Sequence, residues 1–265
     1  MKTDFHFHSN FSADSKADPR AMVEAAIEKD FSIICFTDHV DIDFPEQLIT
    51  FDTAEYTKYL DAMREEYKGK IDIRKGVEVG MLPHIVDEND SFVKSAPFDF
   101  VIASTHVIKG LRPNPRRFNE YKDQYPTAKE GVVAYLEDVL KNLQLFDNFD
   151  VCGHLDYISV YTYEENFAYE EHREITDEIL RLLITKGKGL ELNTAHYRRG
   201  FEGSPCMAVL KRYKELGGEI ITTGSDGHSP KEIGFGIDWA QECLRTCGFR
   251  YFTVFKDRKP EFLPL

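Results

Sequence analysis

Short runs of apolar residues alternate along the chain with longer amphipathic stretches. The runs have the length of strands, and several are rich in β-branched or aromatic residues. They are Asp4–Phe7, Ile33–Thr37, Ile71–Val79, Asp99–Ala103, Asp150–Cys152, Gly189–Asn193, Glu219–Thr223 and Arg250–Phe255. Helical spacing predicts helices over Ala21–Lys29, Tyr56–Tyr67, Val132–Phe146, Tyr169–Lys186 and Ser204–Leu216. Because strands that alternate with helices favour parallel pairing, seven or eight such units predict an α/β fold with a closed or nearly closed barrel.

One segment, Ile108–Thr127, interrupts this alternation. It contains several prolines and arginines, namely Pro113, Pro115, Pro126, Arg112, Arg116 and Arg117. A connection of this length is uncommon in a compact domain unless it has a function, so it is predicted to be a lid or a substrate loop. A surface excursion without a function is the alternative.

The composition is that of one globular domain over residues 1–265, with 42% hydrophobic and 30% charged residues. No stretch approaches the roughly 18 apolar residues that a membrane span requires. The N-terminus has no apolar run or cleavage signal, so a cytoplasmic protein without a membrane partner is expected. The five cysteines are scattered, and disulfides are not expected in that compartment.

The formal net charge of −13 argues against a nucleic-acid partner, because a surface of like charge repels the phosphate backbone. The net charge of the metal-loaded protein would be less negative if some of the acidic residues bind metal. Each divalent ion would then remove two negative charges from the sum.

Six of the nine histidines lie at the end of a predicted strand or in the turn after it. They are His6, His8, His39, His106, His154 and His228, and three acidic residues, Asp14, Glu78 and Asp226, are placed in the same way. In a barrel of parallel strands the C-terminal ends meet on one face, where active sites are built. Residues far apart in the sequence are therefore expected to meet there.

Each of these residues alone would be a weak signal. The pair His6 and His8 shares one strand face, but a lone H-x-H occurs by chance in many proteins. Glu78 stands in an otherwise apolar strand, where a carboxylate is unfavourable unless it is paired or bound to metal. Taken together, imidazoles and carboxylates at successive strand ends predict a cluster of zinc, manganese or iron ions.

The motifs H-x-H, T-D-H, a strand glutamate, S-T-H, G-H-x-D and S-D-x-H resemble those of the polymerase and histidinol phosphatase (PHP) family. The resemblance extends from Asp4 to about Pro260. Within the family the chain looks like the stand-alone histidinol-phosphate phosphatases. Supporting segments are Phe11–Ser15, Leu190–Thr194 followed by Arg198, and Phe255–Pro260.

The resemblance implies a distorted TIM-like barrel of seven βα units with a trinuclear metal site. It assigns His6, His8, Glu78 and Asp226 to a first ion. Glu78 would bridge to a second ion held by His106 and His154, and Asp14, His39 and His228 would hold a third. Many family members have histidine at the position of Asp14, so two or three ions are expected.

The implied reaction is the hydrolysis of L-histidinol phosphate to L-histidinol and phosphate by a metal-activated hydroxide, a step of histidine biosynthesis. Glu78, Asp226, His228 and Arg198 are the expected catalytic residues. Arg198 would clamp the phosphate, since guanidinium donors match phosphate oxygens.

Three further residues are weaker candidates for contact with the substrate: Arg199, Arg117 and His196. The group that protonates the leaving oxygen is either a metal-bound water or a histidine such as His196.

Three alternatives stay open at this point. A different phosphomonoester or phosphodiester could be the substrate of the same metal core. A proofreading exonuclease module is disfavoured by the acidic composition and by the absence of a polymerase chain. A metal-binding protein without activity is disfavoured because all nine matched positions carry groups able to bind metal. The oligomeric state is left open.

Overall fold

The computed structural model describes residues 1–45, 47–108 and 123–265. Most of the predicted lid or substrate loop, including Arg117, lies outside the described residues. The described strands are β1 (Thr3–Asp4), β2 (Ile33–Phe36), β3 (His39–Phe44), β4 (Gln47–Ile49), β5 (Asp72–Gly80), β6 (Phe100–Ser104), β7 (Val151–Cys152), β8 (Gly189–Asn193), β9 (Ile221–Gly224), β10 (Tyr251–Lys256) and β11 (Lys259–Pro264).

Seven parallel strands form a barrel in the order β1-β2-β5-β6-β7-β8-β9. The chain after β1 closes it against β9, where the Phe5 amide donates to the Thr223 carbonyl over 3.0 Å. Phe7 and Gly227 then form a further parallel bridge. Strands buried on both faces appear in the sequence as continuous apolar runs, which is why these seven were predictable. The predicted TIM-like barrel of seven βα units is confirmed.

Helices connect the strands and cover the outside of the barrel. They are α1 (Pro19–Glu28), α2 (Thr53–Glu66), α3 (Val86–Lys94), α4 (Ala128–Leu145), α5 (Arg173–Thr185), α6 (Ala195–Arg198), α7 (Met207–Glu215) and α8 (Ile237–Thr246). Local sequence sets where they begin. Asp18 caps α1 ahead of Pro19, and Thr127 forms a capping box with Glu130 at the start of α4.

The eighth predicted strand lies outside the barrel. It is β10, which pairs antiparallel with β11 in a separate two-stranded sheet. Because the segment after β1 already closes the barrel against β9, no edge is left for an eighth barrel strand. The hairpin instead covers the N-terminal ends of the barrel strands. There the Arg258 amide donates to the Asp99 carbonyl (2.9 Å), and its guanidinium donates to the Asp150 carboxylate (2.6 Å).

The other end of the barrel carries an added hairpin that was not predicted. Strand β3 pairs in parallel with β5, His39 lying opposite Glu78, and antiparallel with β4. Asp41 and Asp43 within β3 interrupt the apolar pattern that marks the other strands. This hairpin forms part of the wall around the C-terminal face.

All five cysteines are buried and free, as expected. Among the helices of the described residues, none combines the length and the apolar character that crossing a membrane would demand.

Candidate metal centre and substrate cavity

The nine predicted ligands come together at the C-terminal face of the barrel. Each strand end delivers its side chain to the same small volume. His6 and His8 follow β1, His39 begins β3, Glu78 lies in β5, His106 follows β6, His154 follows β7, and Asp226 and His228 follow β9. Asp14 reaches the cluster from the loop before α1.

Glu78 lies at the centre of the cluster and is fully buried. Its Oε2 atom faces His39 Nδ1 at 2.9 Å, His6 Nε2 at 3.1 Å and His8 Nε2 at 3.5 Å. Its Oε1 atom faces His106 Nε2 at 3.2 Å and His154 Nε2 at 2.9 Å. The two oxygens of one carboxylate therefore face two separate groups of imidazole nitrogens, which is the arrangement that a bridging carboxylate needs.

Asp226 completes the first of these groups. Its Oδ1 atom lies 3.2 Å from His8 Nε2 and 3.9 Å from His6 Nε2. Asp226 has a backbone φ of +51°, a conformation that few residues other than glycine adopt without strain. The side chain is thus directed at the cluster by an unusual backbone geometry in the turn after β9.

A third group lies at the outer side of the cluster. Asp14 Oδ2 is 3.2 Å from His228 Nε2 and 3.6 Å from His39 Nε2. The Asp14 side chain is 45% exposed, whereas Glu78 is fully buried. The outer group is therefore the one most accessible to solvent.

Hydrogen bonding supports metal at this site. Three buried atoms that face one another have no hydrogen-bond partner among the described residues: His6 Nε2, His8 Nε2 and Glu78 Oε2. Buried polar atoms are normally paired, and unpaired ones cost free energy. Because these atoms lie within ligand distance of one another, a divalent cation would satisfy all three at once. Nitrogen and carboxylate ligands suit zinc, manganese or iron.

Electrostatics keep two of the ligands, His8 and Glu78, in forms that can bind metal. Burial, together with the neighbouring His39 and His228, lowers the pKa of His8 to about 3, so its ring is neutral at pH 7. Burial acts to raise the pKa of Glu78, but the surrounding histidines, His6 first, hold it well below its usual range. A neutral imidazole and an ionised carboxylate are the species that coordinate divalent ions.

Two carboxylates behind the ligands were not singled out from the sequence. Asp41 Oδ1 lies 2.9 Å from His106 Nδ1, on the side of the ring that faces away from Glu78. Asp38 accepts a hydrogen bond from the Ser12 hydroxyl (2.9 Å), which lies 3.2 Å from His8 Nδ1. Asp41 lies two residues from His39 in the same strand, and this spacing was the available signal.

A cavity of about 210 Å³ opens over the cluster. Its floor includes His39, His106, His154, Asp226 and His228. Its walls include Phe44, Gln47 and Ile49 from the β3–β4 hairpin, with Tyr157 and Tyr161 from the segment after β7. The two tyrosine rings stack with their centroids 4.2 Å apart. A small ligand in this cavity would meet polar ligand groups below and flat apolar surfaces at the side.

The residues predicted to contact the substrate differ in how far they are buried. Arg198 lines the cavity. Its guanidinium also donates to the backbone carbonyls of Ser225 (3.1 Å) and Asp226 (3.2 Å). Arg199 is exposed, and its guanidinium carbon stacks 4.7 Å from the centroid of the Tyr161 ring.

His196 is buried behind the cavity wall, with its ring 5.6 Å from that of Tyr161. Burial, with His154 and Arg199 nearby, lowers its pKa to about 3. The ring is therefore neutral near pH 7 and holds no readily donated imidazolium proton.

Replacing Arg198 with glutamine should lower kcat/KM for a phosphomonoester by roughly 10–100-fold, because hydrogen bonds to a charged group contribute about 1.5–3 kcal/mol. Steady-state kinetics of R198Q measure this loss. R199Q is the matched control, since Arg199 follows Arg198 directly but stacks on Tyr161 from outside, and a smaller loss is expected. Equal losses in the two variants would remove Arg198 from the site.

The whole chain has close relatives. A histidinol-phosphatase from Lactococcus lactis is 37% identical over 261 residues, which cover 97% of this chain and 96% of the relative. A probable histidinol-phosphatase from Clostridium acetobutylicum is 30% identical, covering 94% of this chain and 95% of the relative.

A solved structure agrees with these relatives. It is the crystal structure of histidinol phosphate phosphatase from Lactococcus lactis in complex with zinc, L-histidinol and phosphate. It superposes with a TM-score of 0.90 at 36% identity and covers 98% of both chains. The PHP domain model matches residues 4–195, which contain seven of the nine predicted ligands. Asp226 and His228 lie after the matched range. This chain belongs to the PHP domain family.

Proposed function

We propose that this protein hydrolyses L-histidinol phosphate to L-histidinol and phosphate as a metal-dependent phosphatase. The observation that carries the proposal is the central carboxylate of Glu78, whose two oxygens face two separate imidazole groups beneath a small cavity. Whole-chain similarity to a histidinol phosphate phosphatase whose structure contains zinc, L-histidinol and phosphate supports this substrate.

The ions would be held in three groups around Glu78. His6, His8 and Asp226 would form the first group with Glu78, and His106 and His154 would form the second with it. Asp14, His39 and His228 would form the third. When bound, divalent ions lower the pKa of water toward about 7 and neutralise the charge of a phosphate dianion.

The protein's own residues prepare the site for this chemistry. The Ser104 hydroxyl donates to Glu78 Oε1 over 2.6 Å and so fixes the carboxylate between its two groups. Arg198 is placed to bind phosphate oxygens at the cavity rim while holding the turn that presents Asp226. Both contacts orient groups before the substrate arrives, which lowers the reorganisation that the reaction requires.

The cavity walls suit the organic part of the substrate. The ring of Phe44 and the stacked rings of Tyr157 and Tyr161 offer flat surfaces on which a planar imidazole can pack. A bulky nucleotide would have to fit the same cavity of about 210 Å³. This geometry favours a compact phosphomonoester over a nucleotide.

Turnover of a substrate panel tests the proposal. L-histidinol phosphate, p-nitrophenyl phosphate and nucleoside monophosphates are compared with zinc or manganese added back to metal-depleted protein. We expect kcat/KM for L-histidinol phosphate to exceed the others by at least roughly 100-fold, because a site that pairs specific polar groups discriminates strongly. Comparable rates for a nucleotide would contradict the assigned substrate.

Residues 1–265 would act as one functional domain in the cytoplasm. Contacts of the β10–β11 hairpin with Asp99 and Asp150 support a single unit, since they join the end of the chain to the base of the barrel. Five free, buried cysteines are typical of proteins from a reducing compartment.

A further inference from the structure

A buried carboxylate that belongs to none of the three ligand groups lies behind two of them. It is Glu191, in the middle of β8, and it is 1% exposed. Its neighbours Leu190 and Leu192 are fully buried apolar residues. An ionisable group at such a position is unfavourable unless specific partners satisfy it, so its contacts indicate its purpose.

One oxygen of Glu191 contacts a predicted metal ligand. Glu191 Oε1 lies 2.5 Å from Nδ1 of His6, and both side chains are buried. The other nitrogen of the same ring, His6 Nε2, faces Glu78 Oε2 at 3.1 Å. A carboxylate that accepts the Nδ1 proton leaves the Nε2 lone pair free to coordinate, which is the common arrangement behind metal-binding histidines.

The second oxygen reaches a different ligand group. Glu191 Oε2 accepts the backbone N–H of His154 over 3.0 Å. It also accepts from Asn193 Nδ2 over 3.3 Å. His154 Nε2 in turn faces Glu78 Oε1. Glu191 thus joins a ligand of the first group to a ligand of the second from outside, as Glu78 joins the two groups from within.

A glycine leaves room for this carboxylate. A Cβ atom at Gly224 would lie 2.7 Å from Glu191 Oε1 and 2.2 Å from the Cβ atom of His6. Any larger residue at position 224 would push His6 and Glu191 apart, so the surrounding sequence is fitted to this contact.

We propose that Glu191 is a positioning residue. It sets the Nδ1–H tautomer of His6, and it holds the backbone of His154 in the position from which the His154 side chain can bind metal. The inference rests on the metal centre of the proposed function but not on its substrate. Metal affinity and the histidine tautomer are measured without any phosphoester, so failure of the assigned substrate leaves this test unaffected.

The first experiment measures zinc affinity by chelator competition in E191Q and E191L. Loss of a residue that supports a metal ligand weakens metal binding by about 10–100-fold. We expect a loss of this size in E191L, which cannot accept the His6 proton. A smaller loss is expected in E191Q, because the amide oxygen still accepts a hydrogen bond. Parent-like zinc affinity in both variants would overturn the proposal.

D99N is the matched control. Asp99 is also a buried carboxylate that accepts backbone N–H groups, those of Lys75 (2.8 Å) and Asp257 (3.1 Å), but it lies at the opposite end of the barrel. D99N should reduce thermal stability without changing zinc affinity. Zinc affinity that falls as far in D99N as in E191Q would show a general structural effect and overturn the proposal.

The second experiment keeps the test decisive if E191L does not fold. The zinc-loaded protein is labelled with ¹⁵N-histidine, and long-range ¹H–¹⁵N spectra report which ring nitrogen of each histidine is protonated. We expect His6 to carry its proton on Nδ1, with a downfield proton resonance that moves upfield in E191Q. A proton on Nε2 in the parent, or an unchanged resonance in E191Q, would overturn the proposal.

Discussion

Replacing Glu78 with glutamine is expected to lower kcat by at least roughly 1000-fold, equivalent to about 4 kcal/mol of transition-state stabilisation. The glutamine side chain keeps the shape of glutamate but offers one neutral oxygen where the carboxylate offers two charged ones. In the structure each oxygen faces its own set of imidazoles, so neither oxygen can be replaced from elsewhere in the site. The first and second ligand groups would lose their shared member together.

Metal content distinguishes this effect from misfolding. E78Q should fold, because the buried Ser104 hydroxyl can still donate to the amide oxygen. Elemental analysis should nevertheless find fewer metal equivalents than in the parent protein. D150N is the control, since Asp150 is a buried carboxylate that accepts the Val101 amide and the Arg258 guanidinium far from the cluster. Parent-like turnover by E78Q would refute the bridging role.

The barrel was predictable from the sequence because its strands are buried on both faces and appear as apolar runs. The β3–β4 hairpin was not, because Asp41 and Asp43 break the pattern within β3. The apolar run at β10 looked like an eighth barrel strand because it is as apolar as the runs that form the barrel. Only the hydrogen bond from the Phe5 amide, just after β1, to Thr223 in β9 shows that the barrel is already closed before β10 begins.

The ligand cluster was predictable for a related reason. Polar residues that directly follow buried runs must lie at strand ends, and parallel strands bring those ends together. The residues behind the ligands were harder to find. Glu191 lies in the segment Leu190–Thr194 that supported the family resemblance, but that resemblance assigned it no role at the metal site. Only the fold shows that it contacts His6, which follows β1, from β8, two strands away around the barrel. The contacts of Arg198 with backbone carbonyls in the turn after β9 could likewise not be predicted, because they join residues that only the tertiary structure brings together.

Removing the metal ions should abolish activity and lower the melting temperature of the protein. Without cations, the buried histidines and carboxylates of the cluster keep polar atoms that nothing else satisfies, such as His6 Nε2 and His8 Nε2 among the described residues. Ions that bind only the folded state stabilise it by mass action. Elemental analysis of protein purified without chelator should find more than one equivalent of transition metal.

The ions should leave in a defined order as chelator is added. The outer group of Asp14, His39 and His228 faces the cavity and is partly exposed, whereas the groups that share Glu78 are enclosed. The first equivalent should therefore be lost at lower chelator concentration than the rest. Zinc or manganese should restore activity to the depleted protein, but magnesium should not, because it prefers oxygen ligands and binds imidazole poorly. Full activity after complete metal removal would exclude the metal-dependent mechanism.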